Sequence, residues 1–179
     1  MKGEVRPSKE LVRALLGVID KDDVEELHDC LSQQGLKRAG YAALLRAVRI
    51  DAGGGRNLWF VRPALEPYCQ ALYGAHLFRY FWIEEKPPGS PKRYRLLFQN
   101  GGDGFAVYAK QSHGLNDIEA TGCIVDECRS ARMSFDGRGY RPVRCTCTLL
   151  GPPEVTKVRR CGSDFRDDQS SGFASPCGG

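Results

Sequence analysis

The segment Pro87-Pro88-Gly89-Ser90-Pro91 divides the sequence into two parts with different hydrophobic periodicity. Before this segment, apolar residues recur at helical spacing, and after it they alternate as on a β-strand. Proline lacks a backbone N–H and glycine favours turns, so the segment itself predicts a linker. We therefore predict an α+β protein, with an N-terminal helical bundle followed by a mainly antiparallel β region. The predicted boundaries are 1–86 for the helical region, 87–91 for the Pro/Gly linker, 92–161 for the β-rich region and 162–179 for a flexible tail.

Four helices are predicted in the first part. Ser8 is placed to cap a helix that buries Leu11 and Leu15. A second helix should start near Asp22 and end at Gly35, because glycine tolerates the left-handed conformation that ends helices. A third is predicted to bury an apolar stripe, and a fourth should cover about 64–76. The stripe of the third helix consists of Tyr41, Leu44, Leu45 and Val48.

Two hairpins are predicted in the second part of the chain. The first joins 93–99 to 105–109 through a glycine-rich turn, and the second joins 132–135 to 140–150. Within the second hairpin, Cys145 and Cys147 share one side of the strand, because successive side chains of a strand point to opposite faces. Further strands are predicted at 77–83, 121–126 and 155–159.

Charge is unevenly distributed, although the whole chain carries a net charge of only +4. The segment 20–29 holds six carboxylates against Lys21, whereas 129–160 holds eight basic residues against Asp136 and Glu154. A locally basic surface attracts phosphates or acidic protein surfaces. The sequence therefore predicts an acidic helix and a basic β face.

These two surfaces favour a non-enzymatic, regulatory protein-interaction module, such as an adaptor or a viral or host regulatory factor. Its predicted partner is another protein. The candidate protein-binding residues are the carboxylates of the acidic helix, namely Asp22, Asp23, Glu25, Glu26 and Asp29.

The alternative function is binding of RNA or single-stranded DNA through the basic β face. Single-strand binders combine a positive groove with aromatic rings on which bases stack. Basic and aromatic residues are interleaved in this part of the chain, as such binding requires. The candidate residues are Arg93, Arg95, Tyr108, Arg138, Tyr140, Arg141 and Arg144.

The eight cysteines raise the question of zinc, disulfides or free thiols. A structural zinc site at Cys123, Cys128, Cys145 and Cys161 is the less favoured interpretation, because only the first pair has the spacing of a zinc hairpin. Burial as core residues is favoured instead. Because the chain starts with Met1 and has no apolar leader segment, we predict a reducing cytoplasmic or nuclear compartment and free thiols.

Motifs of enzymes, cofactor sites and membrane spans are not found in the sequence. The histidines His28, His76 and His113 stand beside no recognisable nucleophile motif, and no glycine cluster has phosphate-loop spacing. No stretch approaches the roughly 20 apolar residues of a membrane span. We therefore predict no catalytic residue, no cofactor and no membrane span.

Overall fold

The computed structural model describes residues 3–38, 40–51, 56–73, 78–151 and 154–159. The chain divides into two compact units, which we call unit 1 (Met1–Gln99) and unit 2 (Asn100–Gly179). The described residues form nine strands in two antiparallel sheets and only two short α-helices. The predicted α+β class, with a helical bundle ahead of a β region, is therefore wrong. The protein is mainly β.

Unit 1 consists of two helices and a four-stranded sheet, sheet A. The helices are α1 (Lys9–Leu16) and α2 (Lys21–Gln33). Sheet A has the order β1-β2-β3-β4, in which each strand pairs with its neighbour in the chain. Its strands are β1 (Leu45–Asp51), β2 (Asn57–Pro63), β3 (Phe78–Glu85) and β4 (Tyr94–Gly102).

The first two predicted helices are confirmed. The Leu11 amide donates to the Ser8 hydroxyl at 3.1 Å, so Ser8 caps α1 as its sequence position indicates. Helix α2 ends at Gln33, and Gly35 adopts a positive φ of 66° two residues later. These elements depend on residues that lie a few positions apart, so they could be predicted from the sequence.

The third and fourth predicted helices are wrong. Tyr41–Leu44 forms a single 3-10 turn, after which Leu45 and Ala47 pair with β2 and are buried. Between 64 and 76, the described residues contain only the 3-10 turn Gln70–Leu72. Strand pairing outweighs the helical spacing here, because it buries this apolar segment against β2. The proline-rich segment 87–91 joins β3 to β4.

The core of unit 1 lies between the helices and one face of sheet A. Leu11 and Leu15 of α1 and Leu27 of α2 belong to the same buried cluster as Val61 and Phe81 of the sheet. A disulfide between Cys30 and Cys69 ties α2 to the segment before the second 3-10 turn.

The other face of sheet A carries a buried aromatic cluster. The Phe60 ring centroid lies 5.6 Å from that of Tyr80 and 6.1 Å from that of Trp82, and all three side chains are fully buried. Phe78 contacts this cluster from its half-buried position, with its centroid 6.1 Å from Tyr80. These separations are typical of favourable aromatic pairs.

The N-terminal segment of unit 1 is bound along the edge of sheet A. Val5 and Ala47 exchange two backbone hydrogen bonds of 2.9 and 2.8 Å. Beside them, the Arg62 guanidinium binds both carboxylate oxygens of Glu4 at 2.8 and 2.9 Å. Val5 therefore forms an isolated antiparallel bridge to the outer edge of β1.

Unit 2 is a five-stranded antiparallel sheet, sheet B, with the order β5-β6-β7-β8-β9. The predicted hairpin between 93–99 and 105–109 does not form, because β4 lies in sheet A and β5 in sheet B. The predicted hairpin around 136–139 is confirmed as β7–β8, and the predicted last strand is β9. The strands are β5 (Gly104–Ser112), β6 (Leu115–Ile124), β7 (Glu127–Phe135), β8 (Tyr140–Leu149) and β9 (Val155–Arg159).

Sheet B has one buried and one outer face. Ile118 pairs with Met133, and Ala131 pairs with Cys145, and these side chains are buried. The outer face is polar, with two cross-strand rows that continue from strand to strand. The first row is Glu119, Arg132 and Arg144, and the second is Thr121, Ser130 and Thr146.

Candidate functional site

The acidic residues of α2 do not form one uniform surface. Asp22, Glu25, Glu26 and Asp29 are exposed, as expected for a charged helix face. Asp23 instead is 8% exposed and forms an ion pair with Arg79 of β3. Burial raises the pKa of the Asp23 carboxyl, and the Arg79 charge opposes this shift only in part. Asp23 therefore fastens α2 to sheet A, and the other four carboxylates face solvent.

Two of the predicted nucleic-acid-binding arginines are held by carboxylates of unit 1. Arg93 donates from Nη2 to Glu85 at 2.7 Å and also pairs with Glu10 of α1. Arg95 donates from Nε to the buried carboxylate of Glu84 at 3.0 Å. Each of the two guanidinium groups is thus bound to a carboxylate inside unit 1.

The other three predicted arginines are exposed in unit 2. Arg138 lies in the β7–β8 turn, and Arg141 and Arg144 lie on β8, where they face Ser134 and Arg132 in the register. Arg141 lies 3.2 Å from Asp136, whereas Arg138 and Arg144 form no ion pair with any residue that the structure describes. We call Arg138, Arg141 and Arg144 the arginine face.

The two predicted stacking residues are not open to solvent. Tyr140 is 5% exposed, and its hydroxyl donates to the Asn116 carbonyl at 2.9 Å. Tyr108 is half-buried, with the Arg132 guanidinium carbon 4.0 Å from its ring centroid. Its hydroxyl donates to Glu119 at 2.9 Å, and burial together with this hydrogen bond raises the pKa of Tyr108.

A buried carboxylate beside the arginine face was not predicted from the sequence. Asp117 is fully buried, and its Oδ1 accepts a 2.7 Å hydrogen bond from Ser112. Its Oδ2 lies 3.6 Å from Arg132 Nε and 3.7 Å from Lys110 Nζ. Asp117 precedes the buried Ile118 in an alternating strand, so the sequence pattern predicts that Asp117 is exposed. Oδ2 accepts no hydrogen bond from the described residues, so Lys110 and Arg132 act on it only at ion-pair distance.

The β7–β8 turn is stabilised by an ionised carboxylate. The Asp136 Oδ1 accepts backbone hydrogen bonds of 2.8 Å from Arg138 and Gly139. These bonds, with a smaller contribution from Arg141, lower the pKa of Asp136 from 3.8 to about 2. The turn that presents Arg138 is therefore held at any pH at which Asp136 is charged.

We expect the Asp136 carboxyl carbon to titrate in an NMR experiment with a midpoint of about 2. Because the pKa is lowered in the folded state, the stabilisation is complete above the ordinary value of 3.8 and is lost as the pH falls through about 2. The amide resonances of Arg138 and Gly139 should shift in parallel. Arg141→Gln is the control and should raise the midpoint only slightly, whereas a midpoint near 3.8 in the unchanged protein would contradict the assignment.

Those cysteines of the suggested zinc site that the structure describes are oxidised. Cys123 and Cys128 form a disulfide across β6 and β7, and Cys145 and Cys147 are both disulfide-bonded. Cys161 lies outside the described residues. Groups of three or more possible metal ligands are not found in the described part of the chain. The burial of Cys145 and Cys147 is confirmed, but they are not free thiols.

The predicted reducing cytoplasmic or nuclear compartment is therefore wrong. The Cys30–Cys69 and Cys123–Cys128 disulfides indicate an oxidising environment, because reducing compartments keep such thiols unpaired. An apolar leader segment, present or absent in the sequence, carries no information about the oxidation state of the sulfur atoms.

Unit 1 contains a cavity of about 230 Å³ that sequence reasoning did not find. Its aromatic walls are Trp59 and Tyr94, and its charged groups include Glu85 and Arg93. The remaining lining comes from the N-terminal segment and α1: Val5, Arg6, Pro7, Ser8, Glu10 and Leu11. The lining residues come from four separate parts of the chain (5–11, 59, 85 and 93–94), so the cavity could not be predicted from any one stretch of the sequence.

Neither α-helix of the described chain has the length and apolar character that crossing a membrane requires. Comparisons with models of known protein families, with curated protein sequences and with solved structures find no match to this chain.

Proposed function

We propose that the chain is a non-enzymatic protein-interaction module that binds an acidic partner protein through the arginine face. The observation that carries this proposal is the exposure of Arg138, Arg141 and Arg144 on one hairpin of a disulfide-linked sheet. The exposed carboxylates of α2 form a second charged surface of opposite sign.

The electrostatics of sheet B support an acidic partner. Its nearby carboxylates are engaged inside the unit: Asp117 by Lys110 and Arg132, and Glu119 by Tyr108. Asp136 is bound by backbone amides of its own turn. The arginine face thus retains positive charge that an acidic surface would neutralise on binding.

The burial of the aromatic rings favours a protein over a nucleic acid. Base stacking requires an exposed ring face. Tyr140 is buried, and Arg132 lies over one face of the half-buried Tyr108 ring. Arg93 and Arg95 are bound to carboxylates of unit 1. A single-stranded nucleic acid would therefore meet positive charge here with little of the aromatic surface that base stacking requires.

The test compares the binding of poly-L-glutamate with the binding of an oligo-dT of equal charge. Replacing Arg141 and Arg144 by glutamate should weaken poly-L-glutamate binding about tenfold or more at low salt, which corresponds to about 1.4 kcal/mol. Isothermal titration calorimetry gives both affinities. The matched control replaces two exposed lysines of unit 1, Lys9→Glu and Lys37→Glu, and should change the affinity for poly-L-glutamate much less.

Two results would contradict this proposal. Equal losses in the arginine variant and the lysine control would show that binding depends on overall charge and not on the arginine face. Much tighter binding of oligo-dT than of poly-L-glutamate would favour the nucleic-acid alternative, particularly if an abasic strand of the same length bound weakly.

A further inference from the structure

The cavity of unit 1 combines aromatic walls with a cluster of three charged side chains. The indole N–H of Trp59 donates to Glu85 Oε2 at 2.8 Å, and Arg93 donates twice to Glu85 Oε1, at 2.7 and 3.1 Å. The same guanidinium also pairs with Glu10 of α1. Two carboxylates thus share one arginine, which leaves this triad with an excess negative charge.

The Glu85 carboxylate is held in its ionised form. Burial alone would raise the pKa of Glu85, but the hydrogen bonds from Trp59 and Arg93 outweigh that effect and bring the pKa below its ordinary value. Glu10 is more exposed than Glu85, at 59% against 16% of the side chain, and is the carboxylate that an incoming group meets first.

The Arg93 guanidinium is an example of a cation bound by the carboxylates and an aromatic ring of this cavity. Its guanidinium carbon lies 5.4 Å from the Tyr94 ring centroid while its nitrogen atoms bind the two carboxylates. Aromatic faces attract cations, and apolar walls accept the methylene stem of a long side chain.

We infer that this cavity binds a lysine or arginine side chain of a protein partner, with its stem between Trp59, Tyr94 and Pro7 and its charge on Glu10. The site belongs to unit 1, whereas the arginine face belongs to unit 2. It adds a second, basic contact to the proposed protein-binding role, and it can be tested without the acidic partner.

Besides Arg93, which the two carboxylates bind, the lining contains one further cationic group that opposes a basic ligand. Arg6 is exposed and forms no ion pair with the described residues. Its removal should therefore tighten the binding of a cation and weaken the binding of an anion. The change in affinity caused by Arg6→Ala therefore shows whether the ligand is a cation or an anion.

The experiment is an NMR titration with N-acetyl-L-argininamide, read at the Trp59 indole N–H. Trp82, the other tryptophan of the chain, is fully buried outside this cavity and serves as the internal reference. The Trp59 signal should shift and saturate, while that of Trp82 stays in place. The uncharged isostere N-acetyl-L-citrullinamide should cause no comparable shift.

Variants locate the binding site. Glu10→Gln should weaken the binding of N-acetyl-L-argininamide about fivefold, the effect of losing one exposed ion pair of about 1 kcal/mol. Arg6→Ala should tighten it, and Glu25→Gln on α2 should leave it unchanged. The inference is overturned if N-acetyl-L-argininamide does not move the Trp59 signal, if the citrulline compound binds equally well, or if Arg6→Ala weakens binding. The proposed function is tested separately by poly-L-glutamate binding. If N-acetyl-L-argininamide does not bind but the Arg141 and Arg144 variant still loses poly-L-glutamate binding, only the cavity inference is overturned.

Discussion

Replacing Phe60 by alanine should lower the free energy of unfolding of unit 1 by about 3–5 kcal/mol. Phe60 is fully buried, and its ring contacts both Tyr80 and Trp82 within the aromatic cluster of sheet A. The substitution removes the ring and leaves a cavity that the paired strands β2 and β3 cannot close by moving together. Urea unfolding followed by tryptophan fluorescence measures the loss, because both tryptophans, Trp59 and Trp82, lie in unit 1.

Phe78→Ala is the matched control for this prediction. Phe78 has the same ring and contacts the same cluster through Tyr80, but it is only half-buried. Its substitution should therefore cost clearly less than that of Phe60. Equal losses in the two variants would mean that the cluster is not the stabilising centre of this face of sheet A.

Replacing both Cys30 and Cys69 by alanine should destabilise unit 1 by about 4 kcal/mol, since this disulfide closes a loop of 39 residues. The cross-link restricts the unfolded chain, and the restriction grows with the length of the loop. The same fluorescence measurement in urea, made without reductant on both proteins, gives the difference.

The Cys123–Cys128 disulfide provides the comparison. It closes a loop of only 5 residues, so its removal should cost about 2 kcal/mol. It lies in unit 2, which contains no tryptophan, so far-UV circular dichroism must follow its unfolding. A larger loss for this pair than for Cys30 and Cys69 would contradict the loop-length argument.

Elements defined by short-range signals were predicted well. The cap at Ser8, the glycine after α2 and the alternating strands of the β7–β8 hairpin all depend on residues a few positions apart. The segment 41–50 was predicted wrongly because its apolar residues also fit helical spacing. What decides its structure is pairing with β2, which is a separate stretch of the sequence.

It could be predicted only in part which charged residues are exposed and which form ion pairs inside the protein. The exposure of most of α2 and of the arginine face follows from their charge. Charge alone does not predict that Asp23 is buried or that Arg93 and Arg95 are bound to carboxylates. Each of these ion pairs depends on a counterion that is distant in the chain or lies on a neighbouring strand. The disulfide partners of Cys30 and Cys123 likewise depend on the fold, since eight cysteines allow many pairings.

The bridge between Val5 and Ala47 has a consequence for self-association. An exposed strand edge is a template on which another chain can add a strand. Val5 already uses the outward N–H and C=O of Ala47, and the Glu4–Arg62 pair anchors the segment beside it. A foreign strand would have to displace these contacts before it could pair with β1 at Ala47. Glu4 and Val5 thus occupy the edge of β1 at Ala47 and oppose aggregation by strand addition there.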